Sequence, residues 1–122
     1  MTAKTKITVI GASNIDLIGF SNEKLIYKDS NVGELETILG GVGRNIAENL
    51  NHLDIDVEFL SVFADDEFSK MIIDSCNDLG ISIQHSLIKK NSKTSFFMAI
   101  LDRFNDLALG LSAMDIYDNI PD

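Results

Sequence analysis

The stretch Gly40-Gly41-Val42-Gly43-Arg44-Asn45-Ile46-Ala47 sets the tightest limit on how this chain can fold. Three glycines in four residues run directly into a helical pattern, with Ile46, Ala47, Leu50 and Leu53 on one face. A backbone without side chains therefore meets a helix N-terminus, where unpaired N–H groups and the positive end of the helix dipole point outward. Glycine lets a ligand come close to the main chain. The rest of the chain reads as support for a binding element at this corner.

That support alternates strands and helices. Lys6–Gly11 is a β-branched run ending in glycine, a buried strand. Ala12–Asp16 reads as a polar turn after it. Leu17–Phe20 is a short strand, 21–34 a polar loop, and 35–39 a half-exposed strand. The glycine corner then leads into a helix ending near Leu53. Val57–Phe63 is a strand. Asp65-Asp66 opens a second helix and Gly80 closes it, which suits the dipole at one end and a left-handed cap at the other. Residues 81–88 alternate as a strand. Residues 95–101 and 107–111 read as a hairpin around Asn105-Asp106. Residues 114–120 begin a helix or fray.

Strand–helix–strand–helix–strand implies right-handed crossovers and a parallel sheet. The strands near 17–20, 35–39, 95–101 and 107–111 do not fit that alternation. They are expected to form a separate small β-sheet, a lid over the strand ends. The fold class is therefore α/β, one domain over residues 1–122, with the lid strands inserted in it.

Ligands of open α/β sheets bind beyond the carboxyl ends of strands. Two segments fall there: Asn14-Ile15-Asp16 and Gly40–Asn45. A carboxylate at Asp16 can accept both hydrogen bonds of a vicinal diol, and Asn14 and Asn45 can donate and accept. The Gly40 and Gly41 backbone can pack against a ring or its hydroxyls. The set suits a polyhydroxylated small molecule.

Other chemistries fit poorly. A dinucleotide loop needs its third glycine where Ile46 stands, and it belongs after the first strand. No Gly-Lys-Ser/Thr follows the glycines, so there is no P-loop. His52 and His85 have no metal-ligand spacing around them, and no metal is expected. Asp65-Asp66 reads as a helix start. The net charge of −9 repels a phosphate backbone and argues against nucleic acid as a partner. Cys76, the single cysteine, falls on the apolar face of the second helix as a buried reduced thiol. That and the lack of a leader-like apolar run favour a cytoplasmic protein. No run reaches the roughly 18 apolar residues of a membrane span.

The motif Gly40–Ala47 resembles the N-terminal signature of the ribokinase-like carbohydrate kinases, the PfkB family. Asn14-x-Asp16 is similar to that family's sugar-binding turn. The longer form Gly41–Leu50, with Ala113-Met114-Asp115-Ile116-Tyr117, is most similar to the pseudouridine-kinase branch. The resemblance implies a three-layer α/β sheet with a β lid. It implies ATP-dependent transfer of a phosphoryl group to a hydroxyl of a sugar or nucleoside, the ribose 5′-hydroxyl in that branch. Asn14, Asp16, Gly40, Gly41 and Asn45 would hold the sugar. Arg44 would serve substrate binding and, for a sugar phosphate, meet the phosphate. Lid side chains such as Met98 and Ile100 would read a base.

The chain departs from the family pattern at Asp54, at Ala64-Asp65-Asp66 and at Ser69, where glycines are usual. The family's catalytic aspartate sits in a Gly-Ala-Gly-Asp motif, and no Gly-x-Gly-Asp occurs in these residues. The catalytic base, ATP and Mg²⁺ are therefore expected to belong to a C-terminal half. The chain is expected to be the acceptor half of a longer kinase and to be inactive alone. It is also expected to form a homodimer through the lid or an exposed sheet edge. The readings left open are a ribose, sugar-phosphate or other nucleoside kinase, and a non-catalytic module that only self-associates.

Overall fold

The structure is a computed structural model that describes residues 5–120. Eight strands and two α-helices follow in the order β1 (Lys6–Ile10), β2 (Asn14–Ser21), β3 (Gly33–Gly40), α1 (Val42–His52), β4 (Asp56–Leu60), β5 (Val62–Ala64), α2 (Glu67–Leu79), β6 (Leu87–Lys89), β7 (Phe96–Leu101) and β8 (Leu107–Ala113). A 3₁₀ turn, Asp115–Tyr117, comes last.

The expected parallel sheet is a layer of two separate two-stranded parallel sheets, because the strand expected over 57–63 breaks at Ser61: β1 pairs with β4 from Lys6↔Asp56 to Ile10↔Leu60, and β5 with β6 from Val62↔Leu87 to Ala64↔Lys89. Alternation along β4 sends Val57 and Phe59 to the side covered by the helices. Both are fully buried, with Ala47 of α1 and Ile72 and Cys76 of α2. Burying each such side chain contributes on the order of 1.5–3 kcal/mol. Cys76 sits here as a free thiol whose pKa burial pushes up, which makes it unreactive.

The helix ends follow from sequence. Asp66 caps α2, its carboxylate accepting the Ser69 N–H at 2.9 Å, and Gly80 ends it in the left-handed region at φ 76°. After α1, Asp54 takes φ 60°, a conformation that short polar side chains tolerate. An aspartate thus holds a left-handed turn at the position where the resemblance implies a glycine.

The second sheet has the order β3-β2-β7-β8. β2 runs antiparallel to β3, from Asn14↔Gly40 to Ser21↔Gly33, and parallel to β7, from Ile15↔Phe96 to Phe20↔Leu101. β7 and β8 form a hairpin with a bulge at Ile100/Leu101.

Two further expectations change. The segment expected as a polar turn over 12–16 is turn only to Ser13. Asn14 and Asp16 already belong to β2, whose ladder with β3 and β7 takes up their backbone groups. The strand expected over 81–88 is interrupted. Ser86 bonds back to the Ile83 carbonyl and its hydroxyl to the Phe59 carbonyl at 2.8 Å, so the chain turns at 84–86; before the turn Ser82 makes a single parallel bridge to Glu58, and after it Leu87–Lys89 pairs with β5.

Candidate functional site

The site forms where the two sheets meet. β1 ends at Ile10, and the chain passes through Gly11 and Ser13 into β2. The start of α1 crosses this exit at close range. A Cβ on Gly43 would stand 2.8 Å from the Gly11 Cα, and one on Gly11 would stand 2.9 Å from the Gly43 Cα. Only a glycine pair allows that approach, and it brings the helix N-terminus to the strand end.

Gly41 is the hinge residue of the corner. It has φ 98°, and a Cβ there would lie 2.5 Å from the Ala12 carbonyl oxygen. It precedes α1 without supplying a side-chain cap, and no acidic residue stands in the first turn. The Arg44 N–H donates to the Ala12 carbonyl at 3.3 Å and the Asn45 N–H to the Gly41 carbonyl at 2.9 Å.

Asp16 comes to the same corner from β2. A Cβ on Gly40 would sit 2.4 Å from the Asp16 Oδ2, so the carboxylate occupies the space a side chain would fill. The Asn14 amide donates to Asp16 Oδ1 from two residues away on the same face of the strand. Burial raises the Asp16 pKa above the ordinary carboxylate value, and the Asn14 hydrogen bond opposes the rise. Oδ1 is thus engaged by protein. Asn45 is exposed one turn into α1, and helical Cβ bonds tilt toward the N-terminus, the end where Gly40-Gly41 lies.

Asn14, Asp16, Gly40 and Gly41 therefore converge, and Asn45 is tied to Gly41 through its backbone N–H, with its side chain exposed. The corner is an open ledge. The larger clefts lie elsewhere: one of about 820 Å³ beside the start of α2, and one of about 740 Å³ between the outer end of the second sheet and the loop over residues 25–31.

Three expected residues are not at the corner. Arg44 is 6% exposed and points away from it. Its guanidinium donates to Glu48 at 2.7 Å and to the Ser75 hydroxyl of α2 at 2.9 Å. It brackets α1 against α2, and the same burial keeps it from a substrate phosphate. Met98 and Ile100 pair with Leu17 and Gly19, so strand alternation puts them on the face opposite Asp16. The residue directly across from Asp16 on β7 is Phe97, followed on that face by Ala99, with Ile38 across on β3.

Sequence reasoning missed Gly11, Ser13, Ser95 and Tyr117 as parts of the corner's frame. The Ser95 hydroxyl and the Tyr117 hydroxyl both donate to the Ser13 carbonyl. It also missed Glu58, a buried carboxylate on β4. Ser82, and then the N–H and ring of His85 against the cost of burial, hold its pKa below the ordinary value. His85 is thus tied to β4 from the turn, not placed in a strand.

The parallel layer, the second sheet and the aspartate–glycine corner between them define a ribokinase-like fold. The chain belongs to the pfkB family of carbohydrate kinases, which residues 4–119 match. It is similar to pseudouridine kinase of Escherichia coli (strain K12), 34% identical over 120 residues, which cover 98% of this chain and 38% of that protein. It is similar to guanosine-inosine kinase of Exiguobacterium acetylicum, 31% identical over 107 residues, 88% of this chain and 35% of that one. The chain thus spans little more than a third of either relative. A crystal structure of a candidate sugar kinase from Clostridium perfringens superposes with a TM-score of 0.87 at 28% identity, over 98% of this chain and 38% of that one. The ribokinase of Arabidopsis thaliana, solved with ribose and ATP, shares the fold at a TM-score of 0.78 and 18% identity, over 92% of this chain and 36% of that one. Among the described residues no helix is long and apolar enough to cross a membrane.

Proposed function

We propose that these residues are the acceptor-binding part of an ATP-dependent kinase for a nucleoside, with pseudouridine as the substrate and its ribose 5′-hydroxyl as the acceptor. The observation that carries this reading is the Asp16 carboxylate held against the side-chain-free Gly40, beside the uncapped start of α1. A carboxylate accepts both hydrogens of a ribose diol, and the Asn45 amide, which both donates and accepts, adds to it. Phe97 shares the sheet face of Asp16, with its ring tip over Gly110 of β8, and an aromatic ring on that face supports a nucleoside over a free sugar because a base can lie against it. The buried, paired Arg44 speaks against a sugar phosphate.

ATP and Mg²⁺ enter through the family resemblance. Phosphoryl transfer is mostly positioning and charge stabilisation. The corner supplies acceptor positioning, and the catalytic base is assigned to the longer protein. The face of the second sheet opposite Asp16 exposes Leu35, Met98, Leu109 and Leu111, which supports a homodimer through that sheet.

A calorimetric titration of the chain with pseudouridine, guanosine, inosine and ribose tests the reading. Pseudouridine is expected to bind tightest, Asp16→Asn to weaken that binding by roughly tenfold or more, and ATP with Mg²⁺ to yield no phosphorylated product from these 122 residues. Equal binding of ribose and pseudouridine would shift the reading to a sugar kinase. No binding of any of the four would leave the self-associating module, which sedimentation velocity would then have to find as a dimer.

A further inference from the structure

The chain passes between the two layers four times: through Gly11–Ser13 into β2, through Gly40-Gly41 into α1, through Thr94-Ser95 into β7, and through Met114 out of β8. All four passages meet at Ser13, which is 2% exposed. A Cβ on Gly41 would lie 2.6 Å from the Ser13 Cα. The Ser95 hydroxyl donates to the Ser13 carbonyl at 2.7 Å, and the Ile15 N–H donates to the Ser95 carbonyl at 3.0 Å. The fourth passage sends Tyr117 back. Its hydroxyl accepts the Ser13 N–H at 2.8 Å and donates to the Ser13 carbonyl.

That pairing uses the one donor and one of the acceptor sites a phenol owns. The ring lies against Ile116, Val62 and Ala64, so the hydroxyl is anchored on β5 of the parallel layer. Ser13 is the residue before Asn14, and Asn14 and Asp16 follow on the next two positions of one strand face. The β2–β3 ladder ties Gly40 to Asn14 in the same sheet, so where Ser13 is held decides where Asn14, Asp16 and Gly40 together stand against Gly41 and the start of α1.

We propose that Tyr117 is a positioning residue for the polyol corner: its hydroxyl pins Ser13 to the parallel layer and so sets the second sheet, with Asn14, Asp16 and Gly40, at its working distance from Gly41 and the start of α1. The role rests on the proposed reading of the corner as a polyol site. Tyr117 itself makes no hydrogen bond to Asn14, Asp16 or the glycines. It belongs to Ala113–Tyr117, a segment the substrate site leaves unexplained.

Amide hydrogen exchange on the full chain and pseudouridine affinity, each measured for Tyr117→Phe and for the unaltered protein, test the pin. Phenylalanine keeps the ring packing and leaves the Ser13 N–H buried without its acceptor. Exchange across residues 13–17 and 95–98 is expected to rise about tenfold, with α2 unchanged, and the Kd for pseudouridine to rise about tenfold. Ser95→Ala removes the other donor to the same carbonyl and is expected to speed exchange in the same segments by less. It carries the exchange test alone if Tyr117→Phe does not fold.

Faster exchange spread equally over α2 would mean general destabilisation and would overturn the proposal. Unchanged exchange at the crossings, or localised exchange with unchanged affinity, would do the same. Should the unaltered protein bind no nucleoside or sugar, the polyol reading falls and takes the positioning role with it. The exchange arm then still decides, on its own, whether Tyr117 pins the crossings.

Discussion

The parallel layer and the second sheet are built on different terms. In the first, Val57, Phe59, Ile72 and Cys76 are sealed between strands and helices, and apolar burial holds the layer. In the second, β2 pairs along its length with β3 and with β7, while Leu107, Leu109 and Leu111 of the outer strand stay about two-thirds exposed. Backbone ladders, and the inner end around Ile15, hold that sheet. The apolar-packed layer supplies the helix N-terminus that follows Gly41, and the ladder supplies the Asp16 carboxylate and Gly40. A site at their seam exists only while the two stand in a fixed relation, which is why the seam carries so many hydrogen bonds.

The contrast can be broken most forcefully in the core. Phe59→Ala should cost about 3–5 kcal/mol. Leu111→Ala on the second sheet should stay within about 0.5 kcal/mol in protein dilute enough to be monomeric. Urea denaturation monitored by circular dichroism compares them, and a similar cost at both positions would mean the outer strand is covered in solution.

The two corner glycines separate fold from site. Gly41→Ala meets backbone at a φ of 98°, so a stability loss of about 1–3 kcal/mol is expected from conformation alone. Gly40→Ala meets a movable carboxylate, so thermal unfolding should change less while pseudouridine binding disappears. Calorimetry on both variants would reveal a reversal of that order.

Asp16→Asn sharpens the same point. The folded pKa of Asp16 lies above its ordinary value. The fold thus disfavours its charged form, and stability is highest below the ordinary pKa and is lost as pH rises through the folded one. At neutral pH the amide should leave stability equal or slightly improved. Affinity should fall by roughly tenfold or more, because hydrogen bonds to a charged acceptor are the stronger ones.

The smallest effect is the acid limb of stability. For Asp66 burial pushes the pKa up, but the hydrogen bonds from Thr94 and Ser69 outweigh it and hold the carboxyl low. Glu58 is also held low. Both contribute stability above their ordinary pKa values of about 4, and both lose it as pH falls through the lowered ones. A pH series of denaturation midpoints should decline below about pH 4, and Asp66→Asn should flatten part of that decline.

Much of this was legible in the chain. The glycine corner, both helices, the cap at Asp66 and the stop at Gly80 are local, and their residues state them. Asp16 and Gly40 were legible as neighbours, because both stand at strand ends, and the structure brings them together. Arg44 misled, because an arginine in a binding motif looks free until the second helix appears beside it. Met98 and Ile100 misled by one residue, since strand alternation sends adjacent side chains to opposite faces and only the register shows which. Tyr117 could not be found, because its partner at Ser13 lies 104 positions away.

The sequence by itself determined the elements, the glycine-to-helix corner and the chemistry of its donors and acceptors, because these depend on neighbours along the chain. Only the tertiary structure decided which arginine atoms are spent between helices, which face of β7 looks toward Asp16, and how four crossings lock at one serine. Those depend on register and on contacts between residues far apart in the chain, and a one-residue shift in either would reverse them.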